Sequence, residues 1–177
     1  MGDELDRSGH ARSGHASEMN SARASVAVRA IRQEDFSEWK PLWDGYNAFY
    51  GREGETALPS GITQITWQRF HDPSEPVFAL VAEADGKLVG ITHYLFHRST
   101  TRVEPICYLR DLFTLEAKRG SGIGRALIAG VCCAAKDAGA YEVYWQTHQH
   151  NATARRLYDA VAENEGFIVY SHAVSGA

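Results

Sequence analysis

The sequence predicts one α/β domain, a mixed sheet flanked by helices in the order β-α-α-β-β-β-α-β-α-β. Three observations carry this prediction. Apolar residues recur at i, i+3 and i+4 from Trp39 to Tyr50, and a second long helical pattern starts at Ile123. Alternating apolar runs on either side of Asp85-Gly86 make a strong hairpin signal. Strand alternates with helix only after that hairpin, so antiparallel strands come first and β-α-β units later. A doubly wound dinucleotide fold would alternate from its first strand.

Residues 1–24 are rich in Ser, Gly, Ala, Arg and His. Arg7-Ser8-Gly9-His10-Ala11 is repeated at once as Arg12-Ser13-Gly14-His15-Ala16. Such a segment buries too little apolar surface to offset its ordering entropy and reads as a disordered tail, with His10 and His15 solvated. Met19 offers an alternative start. The domain is expected over 25–173, leaving 174–177 as a C-terminal end. It opens with a strand, Val26 to Ile31, and a helix, Glu34 to Tyr50, that Pro41 is placed to interrupt or kink. Gly51 to Ser60 is a polar loop, and a second helix covers Gly61 to Phe70 until His71-Asp72-Pro73 ends it. Strands follow at Val77 to Ala84, Lys87 to Phe96 and Ile106 to Leu115. A helix runs from Gly122 to Ala138, with Gly139 as its C′ residue. Tyr141 to Thr147 reads as a strand, Asn151 to Glu163 as a helix and Phe167 to Ser171 as a last strand.

The 177 residues are 44% hydrophobic and 23% charged, as in an ordinary globular chain with a real core. No apolar run approaches the ~20 residues of a bilayer span, and no signal-like segment follows the N-terminus. A cytoplasmic protein with no membrane partner is expected. The net charge of −4 argues against a nucleic-acid partner held by a basic surface and suits cationic partners. Cys107, Cys132 and Cys133 form no C-x-x-C pair and no His/Cys cluster, so neither a metal site nor a disulfide framework is indicated. Cys132 and Cys133 read as small core or near-core residues of their helix, and the compartment as a reducing one.

The stretch richest in chemistry is Arg119-Gly120-Ser121-Gly122-Ile123-Gly124, between a strand and a helix. Three alternate glycines let the backbone approach a ligand and turn its N–H groups toward it, where the positive end of the helix also points. That arrangement binds a pyrophosphate. A P-loop needs Lys-[Ser/Thr] after its last glycine, but Arg125-Ala126 follows here. The dinucleotide fingerprint needs a small residue where Arg125 stands, or Leu127 in the other register. Both readings fail.

At these residues the chain resembles the GCN5-related N-acetyltransferase (GNAT) family, whose [QR]-x-x-G-x-[GA] pattern Arg119 to Gly124 satisfies. Asn151-Ala152-Thr153-Ala154-Arg155-Arg156-Leu157-Tyr158 matches the family's N-x-x-A-x-x-[LF]-Y pattern at the next helix. The likeness covers Val26 to Tyr170. It is closest to the histone/polyamine acetyltransferase branch of fungi, through the Trp39–Tyr50 pattern, Arg69-Phe70-His71-Asp72-Pro73, Tyr108-Leu109-Arg110-Asp111-Leu112 and Val143-Tyr144-Trp145. The resemblance implies acetyl-CoA as co-substrate, with the amides from Gly120 through Ser121, Gly122, Ile123 and Gly124 to Arg125 around its pyrophosphate. Leu112, Phe113 and Thr114 would run beside the pantetheine arm, and Asn151 would contact that arm. Asn151 is also the natural N-cap of its helix, and Tyr158 would otherwise be a core tyrosine.

The resemblance implies transfer of the acetyl group to a primary amine, a polyamine-like small amine or a lysine side chain, by direct attack. An ammonium with a pKa of about 10 must then lose a proton, and a thiolate must be protonated. Tyr158 is the candidate acid for the sulfur. Backbone N–H groups near Leu112 and Phe113 are placed to polarise the carbonyl. Asp111 is the candidate base or amine ligand, or else a salt-bridge partner of Arg110 or Arg119. Alternation puts it opposite Arg110, on the face of Leu109 and Phe113. Relatives often carry Leu-Glu-Asp here; Arg110 replaces the acid and cannot be a base. His148 and His150 follow the Trp145 strand and titrate in a suitable range. Acceptor recognition is expected from Tyr46 to Arg69, with Tyr46, Glu53 and Glu55 facing a cationic amine. Branch members often form homodimers. The alternative is a non-catalytic acyl-CoA sensor or subunit of the same fold.

Overall fold

The computed structural model describes residues 26–174. The expectations for the tail, His10 and His15 included, and for the last three residues lie outside it. Nine strands and α-helices follow one another among the described residues: β1 Ala27–Ala30, α1 Phe36–Phe49, α2 Ser60–Arg69, β2 Val77–Ala84, β3 Lys87–His97, β4 Ile106–Thr114, α3 Ile123–Asp137, β5 Val143–Tyr144 and α4 Ala152–Tyr158. The sheet order is β1-β2-β3-β4-β5, antiparallel except for the parallel pair β4–β5. This is the mixed α/β sheet the sequence predicts. Asp85 (φ 54°) and Gly86 (φ 70°) both adopt the left-handed conformation of a tight hairpin turn. Gly139 (φ 68°) stands just past the C-cap Ala138 of α3. Helix α1 continues through Pro41.

The sheet has a packed layer on each face. Leu80, Ala82, Tyr94, Cys107 and Leu109 meet Ile123, Leu127 and Val131 of α3. On the other face Ala79, Val81, Leu88 and Ile91 meet Trp39, Leu42, Trp43 and Tyr46 of α1. The apolar period of α1 thus presents its aromatic stripe to the sheet, and burying such side chains stabilises by roughly 1.5–3 kcal/mol each. Glycine permits the close approach of α1 to β4, since a Cβ on Gly45 would lie 2.8 Å from the Phe113 ring.

Three expectations change. Strand pairing slips between His93–Asp111 and Tyr94–Leu109, which leaves Arg110 as an extra, bulged residue in β4. Alternation is therefore broken: Leu109 faces α3, whereas Phe113 packs on the α1 side and Asp111 meets His93 there. Second, β5 pairs through only two residues and 167–171 form no strand, because the chain leaves the sheet after Tyr144 and offers those ladder groups no neighbour. α4 likewise stops at Tyr158. Third, Cys132 and Cys133 are exposed, since the buried stripe of α3 runs through Ile128, Val131 and Ala135. Cys107 is buried.

Candidate active site

The loop before α3 is open to a ligand. Gly120 (φ 78°) and Gly122 (φ 89°) are left-handed, and a Cβ on either would meet nothing within 4 Å. Gly122 caps α3 without any side-chain bond, and the helical ladder starts only with Ala126 N–H donating to the Gly122 carbonyl. Among the described residues, the amides of 120–125 donate to no protein acceptor. Such unsatisfied N–H groups at a positive helix end fit a phosphate group. Ser121 turns its hydroxyl back to the Lys118 carbonyl at 2.5 Å, and Arg119 lies 3.7 Å from Glu116.

Beside the loop the sheet splays. β4 pairs with β5 only at Cys107–Val143 and Tyr108–Tyr144, so among the described residues the edge of β4 from Leu109 to Thr114 has no strand on that side. An extended chain such as a pantetheine arm fits an edge of this kind, because its amides can take the place of a strand. Thr114 and Leu157 both approach Gly124, at 4.0 and 3.0 Å from the position of a Cβ, so β4, the glycine loop and α4 converge. Asn151 caps α4, accepting from Ala154 N–H at 3.3 Å and donating to Thr147 Oγ1 at 3.2 Å. Tyr158 packs edge-on against Trp145 at 5.4 Å. Burial, with a smaller push from Tyr50, raises its phenol to about 12.

On the α1 side of β4 lies a buried acid. Asp111 accepts from His93 Nδ1 at 3.0 Å, and the Tyr46 hydroxyl lies near enough to lower its pKa. The Trp39 indole N–H, which can only donate, points at His93 Nε2 at 3.1 Å, so Nε2 accepts and the Nδ1 proton faces Asp111. Trp39, Trp43 and Phe70 pack around the His93 ring at 6.0, 5.4 and 4.6 Å. Burial pushes the Asp111 carboxyl up, but the hydrogen bond from His93, the nearby Tyr46 hydroxyl and the Arg110 charge outweigh it and hold it below the usual range. Tyr46 and Tyr50 are raised, by burial first and then by Asp111. The site therefore offers an anion whose charge its neighbours favour.

Asp111 thus pairs with neither Arg110 nor Arg119. Tyr46 belongs to its group. Tyr50 links that group to Tyr158 electrostatically and to His148 by ring contact at 5.9 Å. His148 is exposed and stacks on His150 at 5.2 Å. Glu53 and Glu55 sit on the exposed loop after α1, with no hydrogen bond or ion pair to Asp111 or Tyr46. Sequence reasoning missed His93 and Trp39. A histidine inside the mostly apolar run Lys87 to Phe96 was the available signal.

A model of the acetyltransferase (GNAT) family matches residues 28–162. The chain belongs to that family. It is an N-acetyltransferase, with acetyl-CoA as the co-substrate that membership supports. A D-amino-acid N-acetyltransferase of Saccharomyces cerevisiae is 33% identical over 147 residues, 82% of this chain and 89% of the relative. An uncharacterised N-acetyltransferase of Bacillus subtilis is 28% identical over 145 residues, 81% and 94% of the two chains. An aminoglycoside N-acetyltransferase solved with the bisubstrate analogue CoA-S-monomethyl-acetylneamine has a TM-score of 0.72 at 16% identity, over 85% of this chain and 99% of that one. These structural likenesses show the fold. No helix among the described residues is long and apolar enough to cross a membrane.

Proposed function

We propose that this GNAT protein moves the acetyl group of acetyl-CoA to a primary amine held against Asp111, by direct attack. The observation that carries this reading is the free amide cradle of 120–125, continuous with an open β4 edge that leads to a buried anion. The acceptor is a polyamine-like small amine or a lysine side chain in the histone/polyamine branch, or an amino acid as the yeast relative's name suggests.

Acetyl-CoA supplies an acetyl thioester. The amides of Gly120 to Arg125 hold its pyrophosphate, the edge at Leu112, Phe113 and Thr114 its arm, and Asn151 the same arm from α4. Asp111 binds the acceptor ammonium and orients it. Held below the ordinary carboxylate range, Asp111 is a poor base, so the proton leaves to water. Tyr158, at about 12, keeps its proton at neutral pH. A thiol of pKa about 8.5 is the stronger acid, so the Tyr158 hydroxyl acts by donating a hydrogen bond to the departing sulfur. Tyr158→Phe is expected to lower kcat about 100-fold, read as thiol release at saturating acetyl-CoA. An unchanged kcat removes the assignment. Glu53, Glu55 and His148 remain outer contacts for the acceptor's tail.

We assign a cytoplasmic homodimer as the working state. Its support is the exposed apolar run of Phe167, Ile168, Val169 and Tyr170, 62–87% accessible, together with the free outer edge of β5. Light scattering at micromolar concentration is expected to return twice the 19.6 kDa chain mass. A single-chain mass contradicts it.

A further inference from the structure

We propose that Arg110 and Asp111 together read a zwitterion, so that the acceptor is a free α-amino acid whose ammonium meets Asp111 and whose carboxylate meets Arg110. This rests on the acetyl-transfer reading and narrows its acceptor. The β-bulge is the reason the two residues act on one ligand. Regular alternation would send neighbouring side chains to opposite faces, but with Arg110 as the extra, bulged residue that opposition is lost. Arg110 is near enough for its charge to favour the anionic forms of Asp111, Tyr46 and Tyr50.

Arg110 is available for a ligand. The residue is exposed, and its one hydrogen bond among the described residues, from Nη1 to the Tyr108 hydroxyl at 3.3 Å, leaves most of the guanidinium fork free. Among the described residues no carboxylate lies in ion-pair distance of it, and Asp111 gives its oxygen to His93 instead. The Tyr108 ring, stacked on Tyr144 at 4.9 Å, carries the guanidinium at 5.9 Å from its centroid and limits its swing. A planar fork held beside a fixed anion suits a carboxylate one carbon from an ammonium. A polyamine, with a cation at each end, would instead bring a like charge to Arg110.

The test compares an amino acid with its decarboxylated amine, for example phenylalanine of either hand and phenethylamine, and adds spermidine. Thiol release gives kcat/KM, and calorimetry on the coenzyme A-saturated protein gives the amino acid's affinity. The wild type is expected to favour an amino acid over its amine by about 10- to 100-fold, the worth of a charge-assisted pair, and Arg110→Gln to erase that ratio and the calorimetric signal. Arg110→Glu should shift the preference toward spermidine. Turnover of amines with no regard to the carboxylate, or an Arg110→Gln loss equal for both acceptors, overturns the zwitterion reading and leaves acetyl transfer standing. Coenzyme binding with no turnover of any amine overturns both.

Discussion

Asp111→Asn is expected to lower kcat/KM for every amine acceptor by about 100- to 1,000-fold, because the ammonium loses the one buried anion of the site. Much of the loss should fall on KM, as Asp111 binds and orients the acceptor. The variant also puts an amide, with one oxygen and one N–H face, against the His93 Nδ1–H and beside the Tyr46 hydroxyl. Leaving one of them unpaired costs about 1–3 kcal/mol, offset in part by no longer burying a charge. Thermal melting therefore separates a folded, impaired variant from an unfolded one.

The pH dependence follows from the same group. Asp111 is held below the ordinary carboxylate value, so its contribution to stability is present above about pH 4 and lost as pH falls through its lower folded value. It stays ionised across the neutral range. The wild-type rate should accordingly rise with pH along the titration of the acceptor's own amine. An acid limb near neutrality that moves with Asp111→Asn would make Asp111 a true base.

Gly122→Val is expected to weaken coenzyme A binding by at least about 10-fold, since a β-branched residue resists the left-handed conformation by more than 1–2 kcal/mol. Gly122 holds φ at 89° with nothing within 4 Å of a Cβ, so the protein has room for the side chain. The strain is met by the loop, which turns its amides away from the cradle of 120–125. Calorimetry with coenzyme A checks this, and full affinity in a folded variant would mean that the loop is not the phosphate cradle.

How far the sequence could be read depends on range. Local rules sufficed for the hairpin at Asp85-Gly86, for α3 with Gly139 beyond its end, and for Asn151 as an N-cap that does bond Ala154. They fail where one residue changes the count. Period-two alternation put Asp111 with Leu109, but the bulge at Arg110 reverses it, and no local pattern in Leu109-Arg110-Asp111 announces a bulge. His93 was illegible for another reason: its partners, Trp39 and Asp111, stand 54 and 18 residues away. Phe167 to Ser171 has strand composition, yet a strand also needs a neighbour, and the described residues supply none.

The most direct test is amine-dependent thiol release from acetyl-CoA by the full chain, with the acetylated product identified by mass and Asp111→Asn run in parallel. The expected result is one thiol per acetylated amine, a strict need for an amine, and loss of both signals in Asp111→Asn while coenzyme A still binds. Tight coenzyme A binding with no transfer to amino acids, polyamines or lysine peptides would contradict it and leave the protein an acyl-CoA sensor.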